Sequence, residues 1–103
     1  MADVKRVYLC VPYGADDELV RKRLCNIKTT LEEAGYSVTE PPSTTPGQSM
    51  ETALMMRLAL LVVCSVVWFP CDFQRSAVSV AEYNYAYAMN KKIEVDPARR
   101  LLD

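Results

Sequence analysis

The sequence contains no histidine, and its 103 residues include only three glycines. Without histidine, the Ser-His-Asp and Cys-His mechanisms and most catalytic zinc sites are excluded. The loop after the first predicted strand carries a single glycine, far short of the glycine-rich fingerprint that binds dinucleotides. Any chemistry must therefore rest on carboxylates or hydroxyls, and the sequence predicts no metal and no organic cofactor.

The sequence also has little net charge and no long apolar run. Twelve Lys and Arg against thirteen Asp and Glu give a net charge of −1, so no excess positive field holds a nucleic-acid polymer. The longest apolar stretch, residues 58–69, is interrupted only by Ser65 and falls well short of the roughly 20 residues that span a bilayer. The N-terminus lacks a signal-peptide core, and the four cysteines form no CxxC pair. These absences predict a soluble cytoplasmic protein without nucleic-acid polymers or membranes as partners.

Half of the residues are hydrophobic, which predicts a folded chain with a single domain over residues 1–103. Short apolar runs alternate with helical patterns along its length. We predict strands at residues 7–11, 36–39, 60–68 and 93–95, and helices from residue 16 to the stop at Gly35, from Ser49 to Arg57, and from Ser76 or Ser79 to Asn90. This alternation predicts an open, mostly parallel α/β sheet of about four strands, in the order 2-1-3-4, with helices on both faces.

The order of the strands in the predicted sheet also indicates where a ligand would bind. In such sheets the site lies at the carboxyl ends of the strands, where the strand order reverses. Here that point joins the loop after the first strand, with Pro12, Tyr13 and Gly14, to the loop after the third strand, with Asp72. Trp68, at the end of the third strand, has two possible roles, the floor of a base pocket or a core aromatic.

Glu82 is a carboxylate on a half-apolar stripe of the third predicted helix, and two interpretations of it stay open. In the first, residues 79–82 form a capping box, in which Glu82 bonds the backbone N–H of Ser79. In the second, the N-terminal end of the helix keeps Glu82 ionised and directs it into the crevice, where it acts as a nucleophile on a sugar carbon.

The chain resembles the nucleoside 2-deoxyribosyltransferase superfamily, most closely its 2'-deoxynucleoside 5'-phosphate N-hydrolase branch, over roughly residues 6 to 95. The motifs that carry the resemblance are Tyr8-Leu9-Cys10, Ser76-x5-Glu82 and Ala86-x-Ala88-x-Asn90-Lys91-Lys92-Ile93. The resemblance implies a flavodoxin-like fold, usually dimeric. It also implies that Glu82 attacks the anomeric carbon and displaces the base, as in a retaining glycosidase, and that Tyr8 orients Glu82. The alternative for Tyr8 is a core aromatic.

Ser76 bears on the substrate within this resemblance. Transferases of the family tend to carry an aspartate at this position, whereas the nucleotide hydrolases carry a serine that faces a 5'-phosphate, and a hydroxyl tolerates a phosphate that a carboxylate repels. Ser76 and Ser79, near a helix N-terminus, therefore suit a nucleoside monophosphate, although Ser76 is equally suited to be an ordinary N-cap. Arg57 is a departure, because relatives carry an acidic residue there that helps to handle the leaving base; Asp72 and Glu51 are other candidate acids.

These observations predict cleavage of an N-glycosidic bond, or deoxyribosyl transfer, on a nucleoside or nucleoside 5'-monophosphate. One alternative is a catalytically inactive module of the same fold that binds a nucleotide as a sensor or sequesters it. Another is a structural interaction domain without a ligand. The apolar face of the third helix formed by Val80, Tyr83 and Tyr87 predicts a homodimer through that helix.

Overall fold

The computed structural model describes residues 5–11, 18–42, 47–70 and 73–96. Within these ranges strands and helices alternate along the chain. The strands are β1 (Arg6–Leu9), β2 (Ser37–Thr39), β3 (Val66–Phe69) and β4 (Lys92–Val95), and the α-helices are α1 (Glu18–Glu33), α2 (Met50–Leu61) and α3 (Ala77–Ala88). A short 3-10 turn, Phe73–Arg75, precedes α3. No helix in the described part of the chain is both long and apolar enough to span a membrane.

All strand pairs are parallel, and the sheet order is β2-β1-β3-β4, which confirms the predicted topology. Side chains alternate between the two faces of the sheet. On one face, Val7 and Leu9 of β1 pack against the buried residues of α1. On the other face, Tyr8 and Cys10 pack with residues of α2 and α3. β1 therefore directs Tyr8 and Cys10 toward the last two helices.

The ends of the helices follow local sequence signals. Ser49 and Ser76 are the N-caps of α2 and α3, and their hydroxyls accept bonds from the backbone N–H groups of Thr52 and Ser79. Gly35 follows α1 with a φ of 97°, a left-handed conformation that suits glycine, and this confirms the predicted stop.

The predicted boundary between α2 and β3 was wrong. The sequence pattern predicts a helix that ends near Arg57 and a strand over residues 60–68, whereas α2 continues to Leu61 and β3 begins only at Val66. The apolar run has no alternation that distinguishes a helix from a strand. The helix extends because its fourth turn buries Leu61 against β1 and β3 in the same cluster as Tyr8 and Val67.

Candidate active site

Five side chains from three elements meet on the α2/α3 face of the sheet, beside the carboxyl end of β1. We call this group the Glu82 cluster. Its members are Tyr8, Cys10, Arg57, Ser79 and Glu82. The first two come from β1 and the residue after it, the third from α2, and the last two from α3. The parallel topology thus joins the start of the chain to its last helix at this point.

Three hydrogen bonds hold the carboxylate of Glu82. The hydroxyl of Tyr8 donates to Oε2 at 2.5 Å, and the guanidinium Nη1 of Arg57 donates to Oε1 at 3.2 Å. The thiol of Cys10 lies 3.4 Å from the same Oε1 and also 3.4 Å from the hydroxyl oxygen of Ser79. Oε1 therefore has two donors, whereas Oε2 has one among the described residues and keeps a lone pair.

Glu82 has 0% of its surface exposed, and Tyr8, Cys10 and Ser79 are equally inaccessible, whereas Arg57 keeps 5%. Burial raises the pKa of Glu82, because the charged carboxylate loses its water, and the Tyr8 hydroxyl and the Arg57 cation partly offset this rise. Burial beside the Glu82 anion also raises the pKa of Tyr8 and of Cys10. Both groups are therefore neutral donors at pH 7.

This geometry excludes the capping box as the role of Glu82. The N-cap of α3 is Ser76, and its hydroxyl accepts from the Ser79 N–H at 3.3 Å, so Ser79 lies inside the helix. The carboxylate of Glu82 instead contacts side chains of β1 and α2. A buried carboxylate supplied with donors from two other elements is typical of a functional site, although structural ion pairs also occur.

Arg57 is the member that sequence reasoning did not place. In the sequence it is only a charge reversal relative to the superfamily it resembles, but in the structure it contacts Glu82. Its Nη1 also lies 2.6 Å from the carbonyl oxygen of Val11. A signal for its burial was available. Apart from Glu51 in the first turn, Arg57 is the only charge on α2, a helix that is otherwise almost wholly apolar.

Trp68 lies on the opposite face of the sheet from Glu82. It packs with the cluster beneath α1 and lines a cavity of about 280 Å³ beside Ile27 and the ion pair of Arg23 with Asp96. Its indole N–H is buried and has no hydrogen-bond partner among the described residues. The structure therefore does not bring Trp68 together with the Glu82 cluster.

The other predicted residues have different positions. Ser76 is half-buried at the start of α3, and Glu51 is exposed in the first turn of α2. Pro12, Tyr13, Gly14 and Asp72 lie outside the described residues. Across the described ranges, no three His, Cys, Asp or Glu side chains come close enough together to hold a metal ion.

Removing the hydroxyl of Tyr8 tests whether it holds Glu82. We expect Tyr8→Phe to lower the free energy of unfolding by about 1–3 kcal/mol, because Oε2 would lose its described donor at a position buried from bulk solvent. Chemical denaturation at pH 7 measures this loss. Tyr87→Phe is the matched control, since Tyr87 is 73% exposed, and it should change stability by less than about 0.5 kcal/mol. Equal effects of the two variants would contradict the inferred role.

The sequence and the fold were compared with those of known proteins. A family model described as "Domain of unknown function (DUF4406)" matches residues 5–95. Among solved structures, the CMP N-glycosidase BcmB from Clostridium botulinum superimposes with a TM-score of 0.67 at 26% sequence identity, over 88% of this chain and 70% of that chain. No curated protein matches the sequence. The structural likeness confirms the flavodoxin-like fold and the superfamily resemblance that the sequence motifs predicted.

Proposed function

The chain belongs to the DUF4406 family, and from the Glu82 cluster and the structural likeness to a CMP N-glycosidase we propose that it cleaves the N-glycosidic bond of a nucleoside 5'-monophosphate. The single observation that carries the proposal is the bond from Tyr8 to the buried carboxylate of Glu82. This pair joins two of the three motifs that carry the superfamily resemblance, one on β1 and one on α3.

In the proposed reaction, Glu82 is the nucleophile. Oε2 attacks the anomeric carbon and forms a glycosyl ester, while the C1'–N bond breaks and its electron pair leaves with the base. The base takes a proton from water or from an acid. A water molecule then attacks C1', gives up its proton and releases the carboxylate. The net reaction consumes one water and yields free base and sugar 5-phosphate; another base in place of water would give transfer.

The donors around Glu82 support this assignment. Oε2 carries one described hydrogen bond and Oε1 carries two, so Oε2 has the lone pair for attack. Tyr8 orients that oxygen at 2.5 Å, because its hydroxyl is fixed within the core beneath α3. Since Glu82 has 0% exposure, the proposal requires an opening motion that admits the substrate.

We propose that Ser76 faces the 5'-phosphate, because it is half-buried at the N-terminus of α3, where free N–H groups favour anions. Ser79 is fully buried and contacts Cys10, so its role would be to support Glu82 from inside the cluster. Substrate contacts from Pro12, Tyr13, Gly14 and Asp72 stay predictions.

A second candidate function is binding without turnover, and the Arg57 contact favours it. A cation 3.2 Å from the carboxylate neutralises the nucleophile, and it stands where the superfamily resemblance implies an acid. A chain of this kind would bind a nucleotide as a sensor or sequester it. Because affinity for the folded state raises the melting temperature, this candidate predicts thermal stabilisation without product.

The experiment that separates the two candidates measures base release and thermal stability on the same samples. We expect CMP, dCMP and related monophosphates, incubated for hours with micromolar protein, to yield free base by chromatography. Stabilisation by these nucleotides without released base would support the binding module. A melting temperature that no nucleotide changes, again without product, would contradict both candidates.

We also propose a homodimer through α3. Tyr83 stacks on Phe73 within the monomer's own core, so the exposed part of the face that remains for a partner centres on Tyr87 and the adjacent Met89. Sedimentation of the wild type and of Tyr87→Asp tests the dimer, because a charge at its centre would dissociate it.

A further inference from the structure

We propose that Arg57 is a catalytic residue that stabilises the departing base as an anion, and that the substrates are therefore pyrimidine nucleotides. This inference rests on the proposed function. It assigns to a cation the task that the superfamily resemblance gives to an acid. The geometry that supports it is the placement of Arg57 directly against the nucleophile, with its guanidinium Nη1 3.2 Å from Oε1 of Glu82.

Arg57 is the least completely buried member of the Glu82 cluster. Tyr8, Cys10, Ser79 and Glu82 have no exposed surface, and Arg57 is the one member that keeps any, at 5%. Arg57 also bonds the carbonyl of Val11, immediately beyond the carboxyl end of β1, where ligands bind in this fold. A base attached to a C1' within reach of Glu82 would therefore lie beside the guanidinium.

The chemistry of the leaving group then determines which bases suit the site. When the C1'–N1 bond of a pyrimidine nucleotide breaks, the electron pair passes to the ring. It spreads onto O2 and N3 in cytosine and onto O2 and O4 in uracil, and these atoms accept hydrogen bonds from a guanidinium. A preorganised cation in a dry site stabilises such developing charge strongly. The freed pyrimidine anion later takes a proton from water. A purine departs most readily after protonation by an acid, and the described side chains in contact with Glu82 include no carboxylic acid.

The test compares leaving groups in the wild type and in Arg57→Gln. We expect Arg57→Gln to lower kcat/KM for CMP and UMP by about 10²–10³-fold, the usual effect of removing one preorganised donor. For the 5-fluoro analogues, whose anions need less stabilisation, we expect a loss at least about tenfold smaller. The wild type should release pyrimidines faster than purines. Arg6→Gln is the matched control, because Arg6 is exposed at the opposite end of β1, and it should match the wild type.

Arg57→Lys provides a second variant that keeps a positive charge in the fold. It should retain more activity than Arg57→Gln. Its loss should also be smaller for the 5-fluoro substrates than for CMP and UMP, but by a smaller factor than in Arg57→Gln. A wild type that releases no base would overturn the proposed function and this inference together. If the wild type releases base but Arg57→Gln lowers kcat/KM equally for plain and 5-fluoro substrates, this inference alone is overturned. This inference would also be overturned if Asp72→Asn, and not Arg57→Gln, lost more activity on plain than on 5-fluoro substrates, because the group that assists the leaving base would then be Asp72.

Discussion

Replacement of Glu82 by Gln should abolish base release, with a loss in kcat/KM on the order of 10³-fold or more. The amide keeps the size of the side chain and can still accept from Tyr8, but it lacks the charge and the free electron pair that form the glycosyl ester. Chromatography of free base from CMP, with the melting curve of the same preparation as a check on folding, measures the effect.

Two further variants sharpen this prediction. Glu33→Gln removes an exposed carboxylate at the end of α1 and should match the wild type. Glu82→Asp keeps the charge but withdraws it by one methylene, so it should lose activity through distance while keeping the ion pair with Arg57. Folded Glu82→Gln protein that releases base at the wild-type rate would contradict the assignment of Glu82 as the nucleophile.

Loss of Arg57 should lower stability more than Tyr8→Phe or Lys28→Met does. Arg57→Met should lower the free energy of unfolding by about 3–5 kcal/mol at pH 7, because it leaves the carboxylate of Glu82 buried without its cation. The double variant Arg57→Met/Glu82→Gln should recover much of that loss, since both charges are then gone. The double-mutant cycle, measured by chemical denaturation, should therefore show a coupling of more than about 1 kcal/mol.

The exposed pair of Lys28 with Glu40, 2.8 Å apart, supplies the matched control. Lys28→Met should change the free energy of unfolding by less than about 1 kcal/mol, because water solvates both partners. If Arg57→Met were as mild as Lys28→Met, or if the double variant were no more stable than Arg57→Met, the buried ion pair would not account for the energetics of the cluster.

The pH dependence of this loss has a definite sign. Burial raises the pKa of Glu82 above its unfolded value of 4.5, and the Arg57 cation opposes that rise. A raised folded pKa means that the contribution of Glu82 to stability is greatest below pH 4.5 and is lost as pH rises through the folded pKa. Without Arg57 the folded pKa of Glu82 is higher still, so the loss extends to higher pH and becomes larger. The difference between the wild type and Arg57→Met should therefore be smallest in acid and grow toward neutral pH; a difference that is constant with pH would contradict this account.

Much of the fold could be predicted from the sequence because its signals are local. Alternating short strands and helices gave the parallel sheet and its order, and Gly35 and Ser49 marked helix ends through their own backbone and cap geometry. The end of α2 could not be predicted. There the apolar run is continuous, and tertiary burial of Leu61 determines where the helix stops.

The site was predictable in part for a related reason. Tyr8 and Glu82 were identified through motifs, and the alternation of β1 then brings Tyr8 to the face on which α3 packs. The contact between Arg57 and Glu82 depends on the tilt and length of α2, which no periodicity encodes. The position of Trp68 could not be predicted either. A shift of one residue along β3 determines which face of the sheet it occupies.

The bond between Tyr8 and Glu82 joins residues 74 positions apart in a chain of 103. Loop-closure entropy disfavours such remote contacts early in folding, so we expect this bond to form after the intervening strands and helices have docked. A partly folded or truncated chain would thus lack the pair even where β1 and α3 exist separately. On the proposed function, we expect base release to return during refolding later than helical circular dichroism and so to report on the last stage of assembly.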